Sequence, residues 1–300
     1  MRETRGEETS MGNYRIITDS TADLTPELIQ ELDVQVIPLC YMMGGRVYHN
    51  IPGGGEMTEQ AFYAKLRAGT MPTTTQVNSE EFLHVFTPLL EGGEDVLYIA
   101  FSSGLSGTCQ SAVLARNELK KRFPNRRLEV FDSRCASMGE GLLVWHAAKL
   151  RQQGKSLEEV LAWLKENVLR LCHWFTVDDL NHLKRGGRVS TATALVGTML
   201  GIKPVLHVDD EGHLIPVSKV RGRRQSLDAL VKHMQETAMD PAGQMVFISH
   251  GDCLEDARYV EEQVRQRLGV QEVRVGYIGP VIGAHSGPGT VALFFLGKER

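Results

Sequence analysis

The sequence lacks the long hydrophobic run that a membrane-spanning helix requires. None of its apolar stretches approaches the ~18 consecutive apolar residues of such a helix. The amino-terminal residues 1–13 are polar and lack the hydrophobic region of a signal peptide. We expect residues 1–13 to be a disordered leader, with Met11 as an alternative start, and the protein to be cytoplasmic.

Cysteine pairs and a broad excess of positive charge are also absent. The five cysteines are scattered and no two have CxxC spacing, so neither a zinc ribbon nor a disulfide framework is indicated. The formal net charge of −4 argues against a nucleic-acid-binding protein, because such proteins need a basic face. We therefore expect no metal, no nucleic-acid partner and reduced cysteines.

Signatures of several enzyme classes are missing as well. The sequence contains no GxxxxGK[ST] motif for nucleotide phosphates, no GxGxxG at the first strand–helix turn and no HExxH zinc motif. The segment around Gly104 lacks the spacing of a GxSxG nucleophile elbow. Asp19 and Asp132 each end a predicted strand and precede a serine. Metal binding is one interpretation of them, and hydrogen bonding that holds the loop is the favoured one.

Short β-branched strands alternate with longer helical patterns, which predicts an α/β protein of two domains. A chain of 300 residues corresponds to about two domains of ~150 residues each. Up to residue 170 the alternation is typical of a mainly parallel sheet. The later part contains a predicted hairpin at 202–219, which favours a more antiparallel sheet. We place an N-terminal α/β domain at 14–170 and a C-terminal α+β domain at 171–300.

Four polar clusters, each predicted to be a loop, contain the residues of greatest chemical interest. They are Pro72-Thr-Thr-Thr-Gln76, Ser102-Ser-Gly-Leu-Ser-Gly-Thr108, Lys184-Arg-Gly-Gly-Arg-Val-Ser190 and His285-Ser-Gly-Pro-Gly-Thr290. The second cluster lies between a buried strand and a long helix, where backbone N–H groups and a helix N-terminus favour an anion. The alternatives are that Ser106 only caps a helix, that Arg188 is a surface charge and that His285 is a satisfied loop histidine.

Taken in order, these clusters resemble the DegV family of fatty-acid-binding proteins. The resemblance runs from Ile16 to about Phe295 and includes Thr18-Asp-Ser-Thr21, Val36-Ile-Pro38 and Lys203-Pro204. It implies an N-terminal parallel α/β domain, a C-terminal α/β domain with a mixed sheet, and a ligand between them. It also implies that a long-chain fatty acid such as palmitate is the bound ligand, with no further cofactor and no catalysis by this chain.

The resemblance assigns roles to five positions. Thr74 and Ser106 match the hydroxyl residues that hydrogen-bond the carboxylate, and backbone amides near Gly107 supply further hydrogen bonds. Arg188 and His285 match residues on the head-group side. Family members of this kind present the bound acid to a separate ATP-dependent fatty acid kinase, which makes an acyl phosphate. That kinase is the implied partner, and transient membrane contact is left open.

The physical chemistry of a fatty acid fits these roles. Burying some fifteen carbons at roughly 0.8 kcal/mol each gives a gross gain on the order of 12 kcal/mol, before binding costs are subtracted. A buried carboxylate then needs several charge-assisted hydrogen bonds. Two alternatives stay open. One is an enzyme acting on a small acid or phosphoester, with Ser106 as nucleophile and His285 as base, and the other is a regulatory domain that senses lipid.

Overall fold

A computed structural model describes residues 14–190 and 201–300 of the chain. The predicted leader, residues 1–13, lies outside the described residues. The strands within the described ranges are β1 (Tyr14–Asp19), β2 (Gln35–Ile37), β3 (Cys40–Met43), β4 (Arg46–His49), β5 (Thr73–Thr75), β6 (Asp95–Ala100), β7 (Leu128–Asp132), β8 (Leu171–Thr176), β9 (Ile202–Val208), β10 (Leu214–Arg221), β11 (Met245–His250), β12 (Glu272–Tyr277) and β13 (Val291–Leu296).

Ten α-helices lie within the same ranges. They are α1 (Pro26–Leu32), α2 (Glu59–Arg67), α3 (Ser79–Glu91), α4 (Thr108–Arg122), α5 (Met138–Gln152), α6 (Leu157–Asn167), α7 (Asn181–Arg185), α8 (Arg223–Thr237), α9 (Leu254–Leu268) and α10 (Pro280–Ser286). None of these helices is long and apolar enough to cross a membrane.

The described strands form two large sheets and one small one. The first sheet has the order β2-β1-β6-β7 and is entirely parallel. The second has the order β10-β9-β8-β13-β11-β12, in which only β11 and β12 are parallel. A parallel sheet followed by a mixed sheet confirms the predicted fold class. The exact domain boundary near residue 170 stays a prediction.

Local sequence determines where several helices begin. Thr25 Oγ1 accepts a hydrogen bond from the N–H of Leu28, and Pro26 takes the first helical position of α1, where its missing N–H has no cost. At the start of α6, Ser156 and Glu159 form a capping box, as the Ser-x-x-Glu spacing of the sequence indicates. These helices could be predicted because their end signals are local.

Two short elements contradict the sequence-based predictions. The Pro72–Gln76 segment is predicted as a loop between helices, whereas β5 pairs there with β3, with Thr74 opposite Tyr41. The segment around His285 is also predicted as a loop, whereas the residue lies in the last turn of α10. Elements this short are stabilised by their tertiary neighbours and not by their own propensity, so their local sequence gives little signal.

Helix α5 connects the two large sheets. It packs against β1 and β6 of the parallel sheet and against β8, β11 and β13 of the mixed sheet. One hydrophobic core cluster therefore contains Ile16 and Leu97 from the first sheet, Leu142 from α5, and Phe247 and Phe294 from the second. The remaining space between the sheets is where the candidate site lies.

Candidate functional site

A cavity of about 200 Å³ lies between the two large sheets. A single water needs roughly 10–15 Å³ of such space, so the cavity is large enough for an organic ligand. Its wall contains residues from the mixed sheet, from β5 of the small sheet, and from loops and helices that follow strands of the parallel sheet. Just over half of these residues are apolar. The apolar residues are Leu39, Phe101, Leu105, Ala136, Phe175, Leu183, Val208, Leu214, Ile278, Val281, Ile282, Ala292 and Phe294.

All five residues predicted as ligand-binding line this cavity: Thr74, Ser106, Gly107, Arg188 and His285. A chain of contacts joins Thr74, His285 and Arg188. Thr74 Oγ1 lies 2.8 Å from His285 Nε2. Gly186 lies against the same imidazole, since a Cβ there would be 2.1 Å from Nδ1. Arg188 donates to the carbonyl oxygen of Gly186 at 2.5 Å, and also to that of Leu105.

Arg188 is half-buried and contributes a positive charge to this end of the cavity. Its hydrogen bonds go to backbone carbonyls, with Nε and Nη2 lying 3.2 and 3.0 Å from the oxygen of Leu105. Burial lowers its pKa, yet a guanidinium stays protonated in proteins. Among the described residues, no acidic side chain forms an ion pair with it. The charge is therefore available to attract an anion.

His285 is a neutral imidazole at neutral pH. Burial, followed by the nearby charge of Arg188, lowers its pKa to about 4. A neutral imidazole carries one proton, so either the Thr74 hydroxyl donates to Nε2 or Nε2–H donates to the hydroxyl. In the second arrangement the Thr74 hydroxyl can donate to a ligand. The pair can therefore supply one hydrogen bond to an anion without introducing another charge.

The N-terminus of α4 reaches the same end of the cavity. Gly107 is its N-cap residue and makes no side-chain cap. The Ser106 hydroxyl accepts from the N–H of Thr108 at 3.2 Å and lies 3.0 Å from Thr108 Oγ1. Ser106 thus helps to cap the helix as well as lining the cavity. A Cβ on Gly107 would lie 2.2 Å from Gln76 Oε1, so any other residue there would require the Gln76 amide to move.

Sequence reasoning missed His173 and Ser137, which also line the cavity. His173 lies in β8, is only 3% exposed, and places Nε2 3.0 and 3.1 Å from the carbonyl oxygen and the amide nitrogen of Ala136. The sequence around it predicts only a strand. No local signal separates such a residue from ordinary core, because its partner is 37 positions away.

The arrangement does not pair Ser106 with His285. His285 contacts Thr74, and the Ser106 hydroxyl contacts Thr108, so the enzyme alternative gains no geometric support. The two strand-end aspartates hold loops by hydrogen bonds. Asp19 accepts from Thr21 and Tyr98, and Asp132 accepts from Ser103 and Arg134.

A mostly apolar cavity between two α/β domains, with a few polar groups in its wall, is typical of a protein that binds a small molecule. A family model described as "Uncharacterised protein, DegV family" matches residues 13–298. The chain belongs to the DegV family.

Relatives cover almost the whole chain. A DegV domain-containing protein of Clostridium perfringens is 44% identical over 97% of this chain and 99% of its own length. A DegV lipid-binding protein from Thermotoga maritima is 31% identical to this chain in sequence, and its structure superposes with a TM-score of 0.83. The match covers 96% of this chain and 99% of that protein. A fatty-acid-binding DegV family protein from Thermus thermophilus is 34% identical, with a TM-score of 0.82 and coverage of 95% and 99%.

Proposed function

We propose that this protein binds a long-chain fatty acid in the cavity between its two domains. The observation that carries the proposal is a mostly apolar cavity with the hydroxyls of Thr74 and Ser106 at one end and the cation of Arg188 beside them. A ligand with one anionic end and a long apolar body matches both features. The relatives from Thermotoga maritima and Thermus thermophilus, described as lipid-binding and fatty-acid-binding, support the same ligand class.

In this proposal the carboxylate lies at the polar end of the cavity. Thr74 and Ser106 donate through their hydroxyls, the amide groups near Gly107 add the field of the α4 N-terminus, and Arg188 and His285 lie beside them. Such charge-assisted hydrogen bonds offset the cost of removing a carboxylate from water. The tail contributes most of the affinity, at roughly 0.8 kcal/mol for each buried methylene.

The experiment that tests this proposal is native mass spectrometry of the protein purified from a bacterial host. We expect a bound species whose mass equals that of a long-chain fatty acid and which organic solvent extracts. After delipidation, the protein is expected to take up added palmitate or oleate. Protein that carries no lipid and takes up neither acid would overturn the proposal.

The finer part of the proposal is that the protein presents its ligand to a separate cytoplasmic fatty acid kinase and performs no chemistry itself. Phosphoryl transfer onto the carboxylate accumulates negative charge at the polar end of the cavity. A guanidinium there stabilises that charge or pairs with an acidic patch on the kinase. Arg188 occupies this position, whereas Thr74 and Ser106 already supply hydrogen bonds for the acid.

Arg188→Ala separates presentation from binding. We expect the variant to keep most of its lipid and to lose acyl-phosphate formation in a reconstituted reaction with the kinase. Arg185→Ala, which removes an exposed cation at the end of α7, is the matched control and is expected to retain activity. A folded, lipid-loaded Arg188→Ala protein that is phosphorylated at the wild-type rate would remove Arg188 from the mechanism.

A further inference from the structure

One face of the mixed sheet forms the floor of the cavity. In the antiparallel pairing of β8 with β13, Phe175 lies opposite Ala292 and His173 lies opposite Phe294. Directly opposed residues project from the same face of a sheet, and all four line the cavity. The floor of the cavity therefore extends along β8 and β13, in the direction away from α10.

The cavity ends at the second of these pairs. Among the described residues, the next pair on this face is Leu171 and Leu296. Both belong to the hydrophobic core with Leu164 of α6 and do not line the cavity. Thr290 lies beside the end of α10, and Phe294 is four residues further along the chain. At 3.2–3.4 Å per residue, the distance along the strand between them is about 13 Å. The end of the cavity is thus far from His285.

The side chain of His173 is held firmly in place at this end. Its Nε2 atom contacts the backbone of Ala136, and its ring meets that of Phe294 edge-on, with centroids 4.9 Å apart. Gly139, in the first turn of α5, leaves just enough room, since a Cβ there would lie 2.1 Å from Nε2. A ring fixed on several sides cannot rotate away to admit a longer ligand.

We propose that His173, backed by Phe294, is the residue that sets the longest acyl chain the cavity accepts. This inference rests on the proposed function, because it assigns the far end of the same cavity. The tail enters from the polar end, runs along the floor formed by β8 and β13, and stops at the imidazole. Longer acids meet the ring before their carboxylate reaches Thr74.

The test measures affinity against chain length for a series of straight-chain saturated acids, by displacement of a fluorescent fatty acid from delipidated protein. Replacing His173 with alanine removes a ring that extends roughly 3.5 Å from Cβ, the length of two to three methylene groups. We expect the chain length of highest affinity to increase by that number in His173→Ala. Each additional methylene accommodated raises affinity about fourfold.

Three further variants make the result specific. His173→Phe restores a ring and is expected to restore the wild-type limit. His207→Ala removes another buried histidine, which stacks on Trp174 on the opposite face of the sheet, and is expected to leave the limit unchanged. Phe294→Leu removes part of the same end wall and should shift the limit upward even if His173→Ala does not fold.

The outcomes distinguish the two proposals. Wild-type protein that binds none of the acids would overturn both. Wild-type protein with a clear length limit that is the same in His173→Ala and Phe294→Leu would overturn only the role of His173. An upward shift in His207→Ala equal to that in His173→Ala would assign the effect to general loosening of the sheet and also overturn that role.

Discussion

Thr74 places a hydroxyl between a buried imidazole and the cavity. Thr74→Val keeps the branched shape and removes the hydroxyl. We expect the variant to bind fatty acid about ten- to a hundredfold more weakly, because a hydrogen bond to a charged group contributes roughly 1.5–3 kcal/mol. Displacement of a fluorescent fatty acid from delipidated protein measures this loss.

The matched control lies one residue earlier on the same strand. Thr73 is exposed and pairs with Met42, on the opposite face of the small sheet from Thr74. Thr73→Val is expected to leave the affinity unchanged. Equal losses in the two variants would indicate that the valine disturbs β5 as a whole, and would contradict a direct role for the Thr74 hydroxyl.

The site residues whose role depends on nearby sequence could be predicted, whereas the site residues whose role depends on distant parts of the chain could not. Ser106 and Gly107 stand between a strand and a helix, so local sequence already places them at an anion-favouring turn. The position of the His173 ring depends on its contact with Ala136, which comes from a distant part of the chain. The need for glycine at position 139 in turn depends on how α5 packs against that ring. These contacts depend on how distant elements pack, and a single sequence does not contain that information.

At the scale of elements, the end of α7 fits against the last turn of α10. Gly186 has an ordinary backbone conformation, but its missing side chain makes room for the His285 ring. We expect Gly186→Ala to displace His285 from Thr74 and to weaken fatty-acid binding at least tenfold, since 1.4 kcal/mol of lost interaction is already about tenfold. Isothermal titration of delipidated protein measures the change.

Gly187, the next residue, serves as the control, because a side chain there would not contact His285. Gly187 has a φ of +72° and open space around its Cα, so Gly187→Ala strains the backbone by roughly 1 kcal/mol without touching His285. We expect lower thermal stability and unchanged affinity. If Gly186→Ala bound fatty acid normally while Gly187→Ala did not, the packing of α7 on α10 would not be what positions His285.

Elements with local end signals could be predicted, whereas β5 and α10 could not. The strand β5 has three residues and exists because β3 offers it an edge. Helix α10 has seven residues between Gly279 and Gly287, a composition that by itself favours a loop. Both elements carry site residues, so the sequence motifs indicated which residues matter but not the structure that presents them.

At the scale of the whole molecule, Arg300 ties several segments together. Its guanidinium donates to the carbonyl oxygens of Val168, Leu171, Arg134 and Asp209 at 2.7 to 3.2 Å. We expect Arg300→Met, which keeps the aliphatic stem, to lower the free energy of unfolding by about 1.5–3 kcal/mol, the contribution of hydrogen bonds to a charged group. Urea denaturation measures it.

A surface arginine is the control for that variant. Arg258 is exposed and pairs with Glu261 one helical turn away. An exposed pair of this kind contributes roughly 0–1 kcal/mol, so Arg258→Met is expected to change the unfolding free energy little. Similar losses in the two variants would mean that Arg300 acts as an ordinary surface charge and does not tie the segments together.

The junction of the two domains also contains a buried acid. Asp23 accepts from Ser137 Oγ at 2.6 Å and from the N–H of Gly279 at 3.0 Å, and burial raises its pKa from 3.8 to about 8. The folded protein therefore keeps a proton that the unfolded chain releases. The stability this provides is complete below about pH 4 and is lost as the pH rises towards 8.

Asp23→Asn removes this titration and keeps an acceptor for Gly279. We expect the variant to gain stability relative to wild type as the pH rises between about 4 and 8, by up to roughly 1.4 kcal/mol per pH unit. Urea unfolding of both proteins across this range measures the difference. Parallel curves for the two proteins would show that Asp23 is ionised in the folded state throughout.

The cavity wall combines the mixed sheet with loops at the edge of the parallel sheet, and this arrangement is expected to affect the rate of ligand exchange as well as the affinity. We expect a bound ligand to leave past the polar end, where the hydrogen bonds from Arg188 to the carbonyl oxygens of Leu105 and Gly186 would have to open. On that route, exchange is expected to proceed at the frequency of this opening and not to depend on the concentration of competing acid. A membrane or a partner enzyme that accelerates exchange must do so by lowering the barrier to opening.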